Sequence, residues 1–542
     1  MKRIVSFIFA ATVLSIALHA GENRVPKFAN IVNFVREIEP RIEEITPEVL
    51  YQTTAEQVLM MKEYGLKGTF LLQYDAMIDY RYQYLFKIRA LEGTEIGAWW
   101  EITQPHVEAA GLEWRGAYPW DWHANVGFST GYTPEEREKL VDVYMEKFME
   151  IFGYYPKSVG SWFIDAHTLE YMYEKYGIVA SCTCKDQYGT DGYTMWGGYW
   201  NQAYYPSRVN AFMPAQTEEG QIPVPVFRML GSDPVYQYDC GLGTQMQGVI
   251  TLEPVVTDRA GGGVPEWVDW YMNMIAKGEC LTFNYFQAGQ ENSFTWERME
   301  GGFKCQVPLI KKMADSGLLT VATLEECGQW FKDNFKVTPP TSVVSGDDFF
   351  HQARQSIWYN SRFYRANLYW DGVNFRFRDI HLFDEAKKSD YIDKAGTSTK
   401  CVYTTLPVVD GFLWSTQTSL AGLRLFSNGE EITVGVPTVK RKSRNVLVVS
   451  SMTRIGRLKI TLKEDKMEVK VVRAKDAWSL DLGTASEAVL PFKEVTAQTV
   501  NAEEYDYPYS FSILKGSFEK GGDCALRMVP AGNRVTLCTS RQ

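Results

Sequence analysis

Apolar residues recur in two rhythms along this chain, and the change between them falls near residue 337. From residue 29 to about 330, short apolar runs alternate with stretches of helical period. The runs at 31–35, 69–72, 95–100, 158–164, 178–182, 225–230 and 281–286 read as strands. Helix starts punctuate them. Thr53 or Thr54 followed by Glu56 and Gln57 reads as a capping box, with Gly65 as the stop. Thr133-Pro134-Glu135-Glu136 and Thr323 with Glu326 are further starts, and Gly177 ends a helix over 168–176. Seven to eight strands, each followed by a helix or a long loop, predict an α/β fold, a (β/α)7–8 TIM-like barrel over 21–336. After Val337-Thr338-Pro339-Pro340 the period becomes two. Asp371-Gly372 and Ser427-Asn428-Gly429 are hairpin turns, and Leu458, Ile460 and Leu462 alternate with polar residues as Met467, Val469 and Val471 do. An all-β sandwich is expected over 341–542.

The N-terminus follows neither rhythm. Lys2 and Arg3 precede an almost wholly apolar run, 4–18, and small residues lead into Glu22-Asn23-Arg24. This predicts a signal peptide over 1–20, too short to span a bilayer, and a mature protein that is periplasmic or secreted and not inserted in a membrane. A net charge of −10 with no long basic run argues against nucleic acid as a partner. Nine cysteines leave at least one unpaired; buried thiols with one or two disulfides are expected, and the pair Cys182 and Cys184 lacks the second pair that a zinc site needs.

Twelve of the sixteen tryptophans precede residue 331, many in the long loops predicted after the strands (101–132, 185–222 and 231–264), which points to a cleft that stacks sugar rings. Barrels carry their chemistry at the C-terminal strand ends. Those ends hold Arg36 and Glu37; Gln73 and Asp75; Trp100 and Glu101; Asp165 and His167; Lys185, Asp186 and Gln187; Asp233; and Gln290 and Glu291. Glycoside hydrolysis needs two carboxylates, one to protonate the leaving oxygen and one to attack or to activate water. Asp165 and Glu291 are the candidate pair, although Asp165 is equally placed to be a helix N-cap. Arg36, Glu37, Trp100, Glu101, His123, Trp162, Asp186 and Gln290 are candidates to hold the sugar, with Glu37 beside Arg36 alternatively a structural ion pair.

The order of "TAEQVLMMKEYGLKGTFLLQ" from Thr54, "EIGAWWE" from Glu95 and "SVGSWFIDAHTLEYMYEKYGI" from Ser158 resembles the polysaccharide deacetylase barrel over about a quarter of the chain. That resemblance implies metal-binding aspartates at the first strand and histidines at the third. Val35-Arg36-Glu37 and Trp99-Trp100-Glu101 stand there instead. The chain is also similar to barrels with a trailing β domain, the amylopullulanase and glucanotransferase type and the class II α-mannosidases. In the former, a fourth-strand carboxylate is the nucleophile and a seventh-strand carboxylate the acid, positions near Asp165 and Glu291, with Glu and Asp exchanged. An exported two-domain family of polysaccharide-degrading bacteria is a further resemblance. The expectation is therefore a glycoside hydrolase that needs no metal or other cofactor and takes carbohydrate as its partner. The alternatives are a glycan-binding protein on an inactive deacetylase-like barrel, and a deacetylase using Asp165, His167 and His123 as atypical ligands.

Overall fold

The computed structural model describes residues 25–540 except 245 and 523, so the predicted signal peptide lies outside the described residues. Its N-terminal half is built on a nine-stranded sheet. Strands β1 (Lys27–Val35), β2 (Thr69–Leu72), β3 (Glu95–Trp99), β4 (Ser158–Gly160) and β5 (Ala180–Thr183) lie side by side in parallel. Asn284–Ala288 pairs parallel with β1 at one end and Val226–Arg228 parallel with β5 at the other. Alternate side chains sort to the two faces, as strand geometry requires. Ala29, Ile31 and Val35 of β1 pack under the helices, whereas Phe28, Val32 and Phe34 join Leu71, Trp99, Cys182 and Phe227 in an inner core.

The sheet curls without closing, so it is a half-barrel rather than the TIM-like barrel expected. The reason lies in residues 185–225. They form hairpins instead of a strand–helix repeat, and they leave the antiparallel strand Ala203–Tyr204 on the edge. The gap is bridged by a side chain: Gln202 Nε2 donates to Asn284 Oδ1 at 2.9 Å and to the Tyr285 carbonyl at 3.3 Å.

Local signals explain the helices. Thr133 and Thr323 form complete capping boxes with Glu136 and Glu326, at the starts of Pro134–Phe152 and Leu324–Asn334. The helix expected from Thr53 or Thr54 begins earlier, as Pro47–Glu63 capped by Thr46. The Thr53 and Thr54 hydroxyls instead donate back to the Val49 and Leu50 carbonyls, which mid-helix threonines can do.

Beyond Thr341 a ten-stranded and an eight-stranded antiparallel sheet share one apolar core. Asp371-Gly372 and Asn428-Gly429 turn hairpins as the sequence predicts. The two halves are joined tightly. Trp200 stacks on Trp358 at 4.4 Å, and Cys401–Thr404 adds a parallel strand to Tyr193–Trp196 in the first half. Cys182, Cys184, Cys280, Cys327 and Cys401 are buried free thiols, not disulfides. Among the described residues, no helix is long and apolar enough to cross a membrane.

Candidate functional site

A cleft of about 600 Å³ opens over the C-terminal ends of the parallel strands. Its floor is a charge cluster centred on Arg36, the first residue after β1. Arg36 Nε and Nη2 donate to the two Glu101 oxygens at 2.8 and 2.6 Å, a bidentate pair. Nη1 donates to Ser293 Oγ at 3.2 Å and lies 2.9 Å from Glu291 Oε2. Gln73 Nε2 donates to Glu101 Oε2 at 2.9 Å, so the ends of β1, β2, β3 and Asn284–Ala288 all meet here. Burial disfavours the charge on Arg36, yet Glu101 and Glu291 hold the guanidinium firmly protonated.

Glu291 reaches this floor because Gly289 adopts φ +96° just beyond its strand, where a Cβ would lie 2.2 Å from the Val32 carbonyl oxygen. Ser293 Oγ donates to Glu291 Oε1 at 2.7 Å. The Oε2 contact with Arg36 is an ion pair without hydrogen-bond directionality, which leaves Oε2 with hydrogen-bonding capacity in hand. Burial pushes the Glu291 carboxyl above the usual carboxylate range; Arg36 opposes this and the charge of Glu101 adds to it. A second carboxylate on the cleft wall, Glu253, is tied to the same segment. Gln290 Nε2 donates to Glu253 Oε1 at 2.8 Å while Gln290 Oε1 accepts from the Glu291 backbone N–H at 2.8 Å. Thr251 Oγ1 holds the other Glu253 oxygen at 2.6 Å.

Aromatic rings form the rim. The bridge between Thr103 and Trp120 folds the 101–132 loop back so that Trp120 lies 4.2 Å from the Arg36 guanidinium. Trp122 and Trp162 also face the cleft, as do Lys185 and Tyr193. At the mouth, Arg41 binds Glu39 through Nε at 2.6 Å, and that contact together with Arg36 holds Glu39 below the carboxylate range despite its burial.

Of the residues singled out in the sequence, Arg36, Gln73, Glu101, Trp162, Lys185, Gln187, Gln290 and Glu291 come together here. Asp165, Trp100, Glu37, Asp186, His123 and His167 do not. Asp165 is fully buried as the N-cap of Ala166–Tyr176: its oxygens accept from the Thr168 N–H, Thr168 Oγ1, Ser129 Oγ and Arg137 Nη1 at 2.6–2.9 Å. The capping reading therefore holds, and Asp165 does not line the cleft. Trp100 packs on the helix side against His106 and Tyr144. Glu37 faces Arg81 at 2.7 Å rather than its neighbour Arg36, the ion-pair partner expected. Asp186 accepts from Arg228 and Arg365, joining the two halves rather than holding a ligand. His123 sits just outside the cleft, stacked on Trp122 with Nδ1 2.6 Å from Asp121 Oδ1. His167 pairs with Glu138 on another face. Glu39, Arg41 and Glu253 were not foreseen, because loops rather than strand ends deliver them.

A metal does not fit this floor. Where the deacetylase resemblance calls for aspartate and histidine ligands, the Arg36 guanidinium occupies the space between the carboxylates. Among the described residues, no group of three or more His, Cys, Asp or Glu is placed to hold a metal.

A family model described as a domain of unknown function with a solved structure, DUF3863, matches residues 124–305. No curated protein matches the chain. Among solved structures, a Parabacteroides distasonis protein assigned as a glycoside hydrolase/deacetylase is similar in fold, with TM-score 0.53 and 16% identity over 70% of this chain and 90% of that one. A Mycobacterium smegmatis protein assigned as a polysaccharide deacetylase aligns at TM-score 0.34 and 12% identity, over 58% of this chain and 93% of its own. The 4-alpha-glucanotransferase of Thermococcus litoralis aligns at TM-score 0.32 and 9% identity, over 95% and 97%.

Proposed function

We propose that the protein is an exported carbohydrate-active enzyme, a glycoside hydrolase that works without a metal, with Glu291 as the proton donor and Glu253 as the second carboxylate. The observation that carries this reading is the Gln290 side chain, which binds the Glu253 carboxylate and the Glu291 backbone N–H at once, while burial raises the Glu291 carboxyl above the usual carboxylate range. Hydrolysis then follows from the chemistry of a carboxyl pair. The Glu291 proton passes to the leaving glycosidic oxygen, and the Glu253 carboxylate attacks the anomeric carbon or takes a proton from the attacking water. Trp122 and Trp162 supply faces for sugar C–H groups, and Lys185, which among the described residues donates to the Asp186 carbonyl at 3.2 Å, lines the same cleft with ammonium protons for a sugar hydroxyl. The fold likeness to the Parabacteroides distasonis protein is consistent with carbohydrate as the substrate class.

One observation favours a second reading, a glycan-binding protein that does no chemistry. The contact of 2.9 Å between Arg36 Nη1 and Glu291 Oε2 opposes protonation of the would-be acid. Incubating the mature protein with plant, host and bacterial glycans, and weighing the released sugars by mass spectrometry, separates the two. Release supports the hydrolase; binding without release supports the second reading.

A further inference from the structure

A second cavity, of about 480 Å³, opens beside the cleft and shares two wall residues with it, Val249 and Val256. We propose that the two form one groove, so that a saccharide chain bound at Glu291 continues into the second cavity and the C-terminal half of the molecule supplies its distal subsite. This rests on the reading of the cleft as a glycan site, and it sets the substrate class as an oligo- or polysaccharide rather than a single sugar or a short glycoside. Each cavity alone has the volume of a small-molecule site, and joined they exceed what one sugar ring fills.

The second cavity has the surfaces that a sugar needs. Tyr236 and Phe350, one from each half of the chain, meet edge to face at 4.9 Å and are both partly open to solvent. Their rings offer apolar faces beside polar groups with unused capacity. Among the described residues, Asp239 Oδ1 is a buried acceptor without a hydrogen-bond partner, and Arg354 Nε is a buried donor that makes no hydrogen bond but lies 3.6 Å from Asp371 Oδ1. Unmade hydrogen bonds at buried polar atoms cost free energy. Asp239 and Arg354 both line this cavity, so a saccharide hydroxyl, which both donates and accepts, meets a carboxylate and a guanidinium there.

The groove is also formed in advance. Asp233 Oδ1 accepts the N–H groups of Val235 and Tyr236 at 2.8 Å each, and its Oδ2 accepts from Trp267 Nε1 at 2.9 Å. The Tyr236 hydroxyl donates to Asp348, which in turn accepts the Gln352 and Arg354 N–H groups. Loop 231–264 and the turn at 348–354 are thereby held together, so a bound chain need not order them.

The test is calorimetric binding of dimer-to-octamer ladders from cellulose, xylan, chitin and polygalacturonate to the full-length protein and to two variants. Phe350→Ala removes the platform, and Gln352→Trp fills the cavity from an exposed position. For the ladder that binds, affinity should climb with length beyond the dimer. Both variants should weaken the longer members about tenfold or more while leaving the dimer within about twofold. Affinity that is independent of length, or variants that weaken dimer and octamer alike, would overturn the extended groove and leave the reading of the cleft standing. Failure of every ladder to bind the unaltered protein would overturn both.

Discussion

In the proposed hydrolysis, the proton on Glu291 governs the chemistry at the scale of single residues. Its carboxyl lies above the usual range because it is buried, so the protonated acid persists past the pH at which an exposed glutamate ionises. Turnover should therefore hold as pH rises through the ordinary carboxylate range and fall only as Glu291 itself ionises, a limb measurable in a pH–rate profile. Glu291→Gln should lower turnover per folded molecule by about 10²- to 10⁴-fold, the typical contribution of a general acid. Arg36→Met tests the floor differently. It strands Glu101 and Glu291 in a buried place and should cost about 3–5 kcal/mol in denaturant unfolding. Much of this floor was legible in the sequence, since Arg36, Glu101 and Glu291 stand where strands end. Glu253 and Trp120 were not read as partners of Arg36, because a loop delivers each and no local pattern encodes where it folds back. Asp165 was ambiguous for a physical reason: a carboxylate between a strand and a helix satisfies both the nucleophile pattern and the N-cap pattern.

At the scale of elements, Asp165 does more than cap its helix. Arg137, which binds it, also donates to the Tyr391 and Lys394 carbonyls, and Gly396 N–H donates to the Thr130 carbonyl. The segment after Phe383 is thus pinned across the 124–137 loop. Asp165→Asn keeps a good capping side chain but removes the counter-charge of Arg137, so we expect a lower thermal midpoint and turnover per folded molecule within a few-fold of normal. Collapse of turnover at unchanged stability would return Asp165 to a catalytic role. A second element contact responds to pH. Burial, and then the Asp79 carboxylate, push the Glu37 carboxyl up to about 8, well above the usual carboxylate range. A carboxyl raised in the folded state stabilises fully below its unfolded pKa, and that contribution is lost as pH rises through its folded value. Denaturant midpoints should accordingly decline between pH 4.5 and about 8, and Glu37→Gln should flatten that decline. Sequence patterns found the capping boxes at Thr133 and Thr323. They misplaced the first helix start because Thr53 and Thr54 imitate a cap, and they overran β4, whose apolar run continues past the residues that pair.

The whole molecule behaves as a joined pair of halves. The change of period near residue 337 was visible, but the dependence of one half on the other was not. Trp358 completes a stack with Trp200, and buried Arg365 lies between Asp186 of the first half and Asp379 of the second. A fragment ending at residue 336 would expose Trp200 and take Arg365 away from Asp186, and we expect it to lose cooperative unfolding in calorimetry. The closed barrel was overpredicted for a related reason. Counting strands does not reveal that 185–225 turns into hairpins, and the remaining gap is bridged by Gln202, whose role no periodicity signals.

The most direct test of the central claim compares the unaltered protein with Glu291→Gln on the same glycan panel, with sugar release read by mass and binding by calorimetry. Release by the former is expected, and retained binding with almost no release by the latter. Equal release by both would contradict the role of Glu291, and binding by both without release from either would contradict hydrolysis itself.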